Sequence, residues 1–65
     1  MIQSADFSPE DKLACAEREL RLRLKHYPRW VQIKRMDQRT ADKEIALMRA
    51  IMEDYRKMAK TELLL

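Results

Sequence analysis

The sequence predicts an all-α fold: an antiparallel helical hairpin with a Pro/Trp corner, wide enough for a short middle helix. It further predicts that two hairpins pair into a dimeric four-helix bundle. Three observations lead there. Glycine is absent and the strong helix formers Ala, Leu, Met, Glu, Lys, Arg and Gln dominate the 65 residues. Without glycine, turns that need positive φ are hard to build and β-hairpins become improbable. Two long amphipathic stretches flank the segment Tyr27–Met36, which holds the only Trp and one of the two Pro.

The size bounds what can hold such a fold together. A chain this short buries only about 60% of its unfolded surface, and a single core rarely supplies more than ~3–5 kcal/mol. Cys15 is the lone cysteine, so no intramolecular disulfide forms, and the lone His26 is its only companion for a metal. Helix packing and self-association remain as supports. The organisation expected is a flexible N-terminus over residues 1–7, a single helical-hairpin domain over 8–60 and an apolar tail over 61–65.

The first helix begins at Ser8-Pro9-Glu10-Asp11. Ser8 suits the N-cap, Pro9 the first helical position, and the two acids complement the positive end of the helix dipole. Phe7 stands where a hydrophobic staple would, but its partner position is Lys12, so Leu13 is the expected neighbour. Leu13, Leu20, Leu24 and Tyr27 recur at helical spacing, with Ala16 and the stem of Glu17 filling the gap. Glu19-Leu-Arg-Leu-Arg-Leu-Lys25 alternates like a strand, but its residues are strong helix formers and a single strand would lack a partner. Leu22 is the misfit, on the far side of the helix from Leu20 and Leu24. Cys15 reads as a small buried hydrophobe.

The corner follows. Pro28 has no backbone N–H and disfavours helical geometry at the residue before it, so the first helix should end by about Tyr27. Trp30, Val31 and Ile33 are then expected to turn inward on a short helical turn, with Tyr27, Pro28, Trp30 and Val31 organising the corner. Asp37 is the expected cap of the last helix, with Thr40 a weaker candidate. In that helix Ala41, Ile45, Met48, Met52, Tyr55 and Ala59 form a heptad-like seam, flanked by Ile51 and Met58. Glu44, Arg49, Glu53, Asp54, Lys57 and Lys60 take the outer face, where Glu53 and Lys57 form a favourable i,i+4 pair. Leu22, Ile51, Met58 and Leu63–Leu65 are left over from this hairpin, and a second hairpin would bury them. Met48, Met52 and Met58 serve as core filler, though Met also suits a surface that adapts to a partner.

Charge gives the one functional lead. The chain carries a net +3, and the excess lies in residues 18–39, where Arg18, Arg21, Arg23, Lys25, Arg29, Lys34, Arg35 and Arg39 outnumber Glu19 and Asp37. If there is a partner-binding surface, the residues for it are Arg18, Arg21, Leu22, Lys25, Arg29 and Arg35. Basic side chains around Tyr27 and Trp30 also admit nucleic-acid binding. The positives look spread around the helix, however, and the corner lacks the Gly-containing turn of a helix-turn-helix. Membrane-surface binding is disfavoured by Glu10, Asp11, Glu17 and Glu19. No apolar run approaches the roughly 18 residues that span a bilayer, and the N-terminus lacks the pattern of a signal peptide, so a cytoplasmic protein is expected. Nothing in the chain makes a catalytic set, a phosphate loop or a metal site, so neither enzymatic activity nor a cofactor is expected. His26 reads as a corner or surface residue.

Glu-Arg-Glu-Leu-Arg-Leu-Arg (17–23), Tyr-Pro-Arg-Trp-Val (27–31), Arg-Met (35–36), Ala-Asp-Lys-Glu-Ile (41–45) and Met-Arg-Ala-Ile (48–51) resemble a group of very short helical proteins of bacteriophages and prophages of proteobacteria. The resemblance covers roughly residues 13–56, and the Tyr-Pro-Arg-Trp-Val corner is its most specific part. Members often carry Gly just before Arg-Met, where this chain has Lys34, so a tight turn is not expected there. The resemblance implies no activity, cofactor or site residue. It implies a context, the cytoplasm of a bacterial host, and a mode of action: binding and modulating a host or phage protein.

Overall fold

The computed structural model describes the backbone of residues 2–64 and the side chains of residues 2–62. A single 3-10 turn spans Ser4–Asp6, within the segment 1–7 expected to be flexible. Two helices follow, α1 over Pro9–Gln32 and α2 over Gln38–Leu64, and they pack against each other as an antiparallel hairpin. No strand occurs among the described residues. α2 runs on into the residues 61–65 expected as a tail, and the side chains of Leu63–Leu65 lie outside the described residues.

The two starts form as their residues dictate. The Ser8 hydroxyl accepts a hydrogen bond from the Asp11 amide at 3.1 Å, and the Asp11 carboxylate accepts one from the Ser8 amide at 3.2 Å. This reciprocal pair satisfies two amide donors at the start of α1. At α2, the Asp37 carboxylate accepts a 2.7 Å hydrogen bond from the Thr40 amide. That bond, reinforced by the Thr40 hydroxyl and the Arg39 amide, holds the Asp37 carboxyl below its ordinary pKa against a small opposing effect of desolvation.

The corner departs from expectation. α1 does not stop at Tyr27; it continues through Pro28 to Gln32. Pro28 forfeits the bond to the Leu24 carbonyl, at a cost of about 3 kcal/mol in a helix interior. Leu24 and Pro28 are both exposed, so water can satisfy that carbonyl, while Tyr27 and Val31 stay half-buried on either side. Their packing carries the helix past the proline. The chain reverses further on, at residues 33–37. The Arg35 amide donates to the Trp30 carbonyl at 2.8 Å and the Lys34 amide to the Val31 carbonyl at 3.1 Å. These two bonds are those of a Schellman motif, whose C′ residue must be left-handed. Lys34 takes that place with φ 62°. The absence of glycine therefore did not prevent a positive-φ turn, and the tight turn stands where Lys34 had argued against one.

The core is small: Ala16 and Leu20 of α1 with Met48 and Met52 of α2, extended by half-buried Leu13 and Ile45. Ala41 and Ala59 are buried further along the α2 seam, which follows the expected heptad. On α1 the inward row runs through Leu13, Ala16, Leu20, Arg23 and Tyr27, not through Leu24, which is 45% exposed. Arg23 takes the slot instead. Trp30 and Ile33 are not inward either; Trp30 stands 37% exposed and Ile33 48%. Cys15, expected to be buried, is exposed. On α2, Glu53 pairs with Arg56 at 2.6 Å and not with Lys57.

The resulting body measures 46 × 28 × 15 Å with a radius of gyration of 14.5 Å. A compact chain of this length would have a radius near 10.7 Å. The hairpin is one helix thick, a single layer.

Candidate interaction surface

The seam between the helices is fixed on one edge by side chains long enough to cross it. Arg23, only 20% exposed, donates from Nε to Glu19 at 3.1 Å and from Nη1 to the Glu44 carbonyl at 2.7 Å, with the Glu44 carboxylate 3.6 Å away. Its guanidinium also lies 6.0 Å from the centre of the Tyr27 ring. Toward the open end of the hairpin, the Lys12 ammonium sits 5.8 Å from the centre of the Tyr55 ring and donates to the Ser4 hydroxyl at 3.1 Å. Between these two crossings a shallow groove is lined by Lys12, Cys15, Ala16, Glu19, Met48, Ile51 and Tyr55. The crossings establish which side of α1 meets which side of α2.

From that edge the outward positions follow at about 100° per residue. Leu22 and Trp30 of α1, and Leu47, Ile51 and Met58 of α2, all lie on this same side of the plane through the two helix axes. Six large apolar side chains within the two helices are exposed among the described residues: these five and Leu24. Only Leu24 lies on the other side. Leu22, Ile51 and Met58 are thus left outside the hairpin as anticipated. Leu47 went unnoticed in the sequence, although Leu47, Ile51 and Met58 sit four and seven apart and make a second apolar row beside the seam. Trp30 belongs here rather than to the core; its ring stacks on His26 at 6.1 Å and tilts against Tyr27 at 5.4 Å.

The six residues singled out for partner binding divide in two. Arg18, Arg21, Lys25 and Arg29 are exposed and fall within an arc of about 80° on the side of α1 opposite α2. The basic residues of α1 beyond Lys12 are therefore gathered, not spread, and among them Arg23 alone turns inward. Leu22 lies at the border between this ridge and the apolar flank. Arg35 is exposed but sits in the turn, beyond the helix end. Of the corner set, Tyr27 and Val31 are half-buried and pack the helix, while Pro28 and Trp30 face out.

His26 and Cys15 are the remaining reactive side chains. His26 is half-buried against Trp30, and the Cys15 sulfur accepts from Arg18 Nη2 at 3.8 Å. Among the described residues no group of His, Cys, Asp or Glu could hold a metal ion, and no helix is long and apolar enough to cross a membrane. Comparison with known protein families, curated proteins and solved structures finds no match for this chain.

Proposed function

We propose that this chain is a non-enzymatic helical interaction protein that pairs with a second copy through its apolar flank and acts by binding another protein. The observation that carries the reading is the gathering of Leu22, Trp30, Leu47, Ile51 and Met58 on one side of a single-layer hairpin. Domains are ordinarily two layers around one core, because each amphipathic helix must cover its apolar stripe. A second hairpin laid on the flank supplies the missing layer and makes a four-helix bundle.

The areas agree in scale. The chain exposes 5530 Å², whereas a compact monomer of 7.9 kDa exposes about 4,400 Å². The excess, near 1,100 Å², is comparable with the ~800 Å² that each partner contributes to a standard interface. The resemblance to short phage and prophage proteins supports placing the further partner among host or phage proteins in the bacterial cytoplasm.

Sedimentation equilibrium at low and high salt tests self-association. A particle of twice the chain mass at both salts, reduced to one chain mass by Ile51→Lys with the helical spectrum kept, is the expected result. A native chain that stays monomeric at hundreds of micromolar would sink the pairing.

A further inference from the structure

The four cations on the outer side of α1 are not needed by the fold. Arg21, Lys25 and Arg29 make no hydrogen bond or ion pair among the described residues, and Arg18 reaches only the Cys15 sulfur. Glu19, the one acid between Arg18 and Met36, is engaged by Arg23. Glu17 stands one residue before Arg18 and four before Arg21, so the ridge is only partly compensated within a Debye length of about 8–10 Å and positive charge predominates on it. Spacings of three, four and four residues set the charges on one stiff helix over roughly 16 Å.

We infer that this ridge binds the phosphate backbone of duplex nucleic acid, without reading its sequence. Three of the four cations are Arg, whose planar fork pairs with phosphate oxygens. A helix is about as wide as the major groove of B-DNA, so the ridge can enter it and meet phosphates along its walls. Single strands are the poorer fit, because they are held by bases stacked on free aromatic faces. Here Tyr27 and Trp30 lie off the ridge, and Trp30 already packs on His26 and Tyr27. A protein partner at the ridge is also the poorer fit. Such interfaces centre on desolvated apolar or aromatic anchors, whereas here Leu22 on one edge and Pro28 and Leu24 on the other leave the middle of the ridge to the four cations. Binding here does not rest on self-association, and the ridge stays open whether or not the flank is covered.

Fluorescence anisotropy of a labelled 20-base-pair duplex, titrated with the full chain from 50 to 200 mM salt, tests the inference. Four phosphate contacts give a slope of log K against log salt near −3.6, a loss of about 100-fold in affinity over that range. Arg21→Gln with Lys25→Gln should lower the slope by about 1.8 units. Arg49→Gln with Lys57→Gln, on α2, should leave it unchanged. Gln is a strong helix former, and circular dichroism confirms that each variant keeps its helices. The inference fails if 50 mM salt yields no binding, if both double variants change the slope alike, or if single-stranded DNA or poly-glutamate binds as tightly as the duplex.

Discussion

Arg23 Nη1 donates a 2.7 Å hydrogen bond to the main-chain carbonyl of Glu44, joining the middle of α1 to the second turn of α2. Long charged side chains seldom sit in the seam of so small a hairpin, and this one does so with Nε held by Glu19 and Nη1 by Glu44. A charge-assisted bond of this kind contributes about 1.5–3 kcal/mol when one partner is removed. Arg23→Ala should therefore lower stability by about 1.5–3 kcal/mol, seen as a lower urea midpoint at constant m. Arg23→Met keeps the apolar stem, and Glu19 and Glu44 remain partly solvated, so its loss should stay under about 1 kcal/mol. Equal losses in the two variants would show that the bonds to Glu19 and Glu44, not packing of the stem, hold the seam.

Lys34 carries the turn at φ 62°, in a region where a β-carbon meets the following carbonyl. Replacing it by glycine removes a clash of about 1–2 kcal/mol and gives back about 0.5–1 kcal/mol through the freer unfolded chain. Lys34→Gly should thus raise stability by ~0.5–1 kcal/mol, while Lys34→Ala changes little. Thermal melts of the three proteins decide it. A lower melting temperature for the glycine variant would mean that the Lys34 side chain contributes a contact of its own.

Asp37 links the cap of α2 to pH. The Thr40 amide, then the Thr40 hydroxyl, hold its carboxyl below its ordinary pKa. A depressed folded pKa means that the unfolded chain binds the proton more readily. The contribution is fully present above the unfolded pKa and is lost as pH falls through the folded one. Asp37→Asn, an equally good cap residue, should leave stability near neutral pH almost unchanged and flatten its decline below about pH 4. Denaturation midpoints between pH 2 and 7 measure this, and an acid limb of the same steepness in Asp37→Asn would dismiss the link.

What could be read from the sequence followed period and caps. Ser8 as the cap of α1, Asp37 as the cap of α2, and the row Ala41, Ile45, Met48, Met52, Tyr55 and Ala59 follow from residue chemistry one helical turn at a time. The apolar flank was half legible, since Leu22, Ile51 and Met58 fit no hairpin core. The corner was not. A proline removes one hydrogen bond, but Tyr27 and Val31 packing on both sides of it decide whether the helix survives, and that packing is a tertiary fact. Lys34 was equally opaque: a left-handed lysine is set by the reversal that α2 requires, not by the preference of the residue. Arg23 hid for a related reason. A charged residue in an apolar row looks like an interruption until Glu19 and Glu44 are brought to it, and its promotion displaced Leu24. With Arg23 inward and Lys12 over Tyr55, the other four cations of α1 fall on one face.

Trp30 shows how these corrections change an expected energy. A Trp in a core would lose about 3–5 kcal/mol on truncation to Ala. Here the ring is 37% exposed and packs on His26 and Tyr27 within its own helix. At concentrations where the chain is monomeric, Trp30→Ala should cost about 1–2 kcal/mol, while Leu20→Ala, inside the core, costs about 2–4. Raising the protein concentration separates them further. If the flank pairs two copies, mass action raises the melting temperature of the native chain with concentration. Leu20→Ala should melt lower throughout and keep much of that rise, because its flank is intact. Trp30→Ala should lose most of the rise, because the missing ring belongs to the contact. Melts over a hundredfold range of concentration give the answer. Parallel slopes for native chain and Trp30→Ala would take Trp30 out of the interface and leave it a purely intrahelical stack.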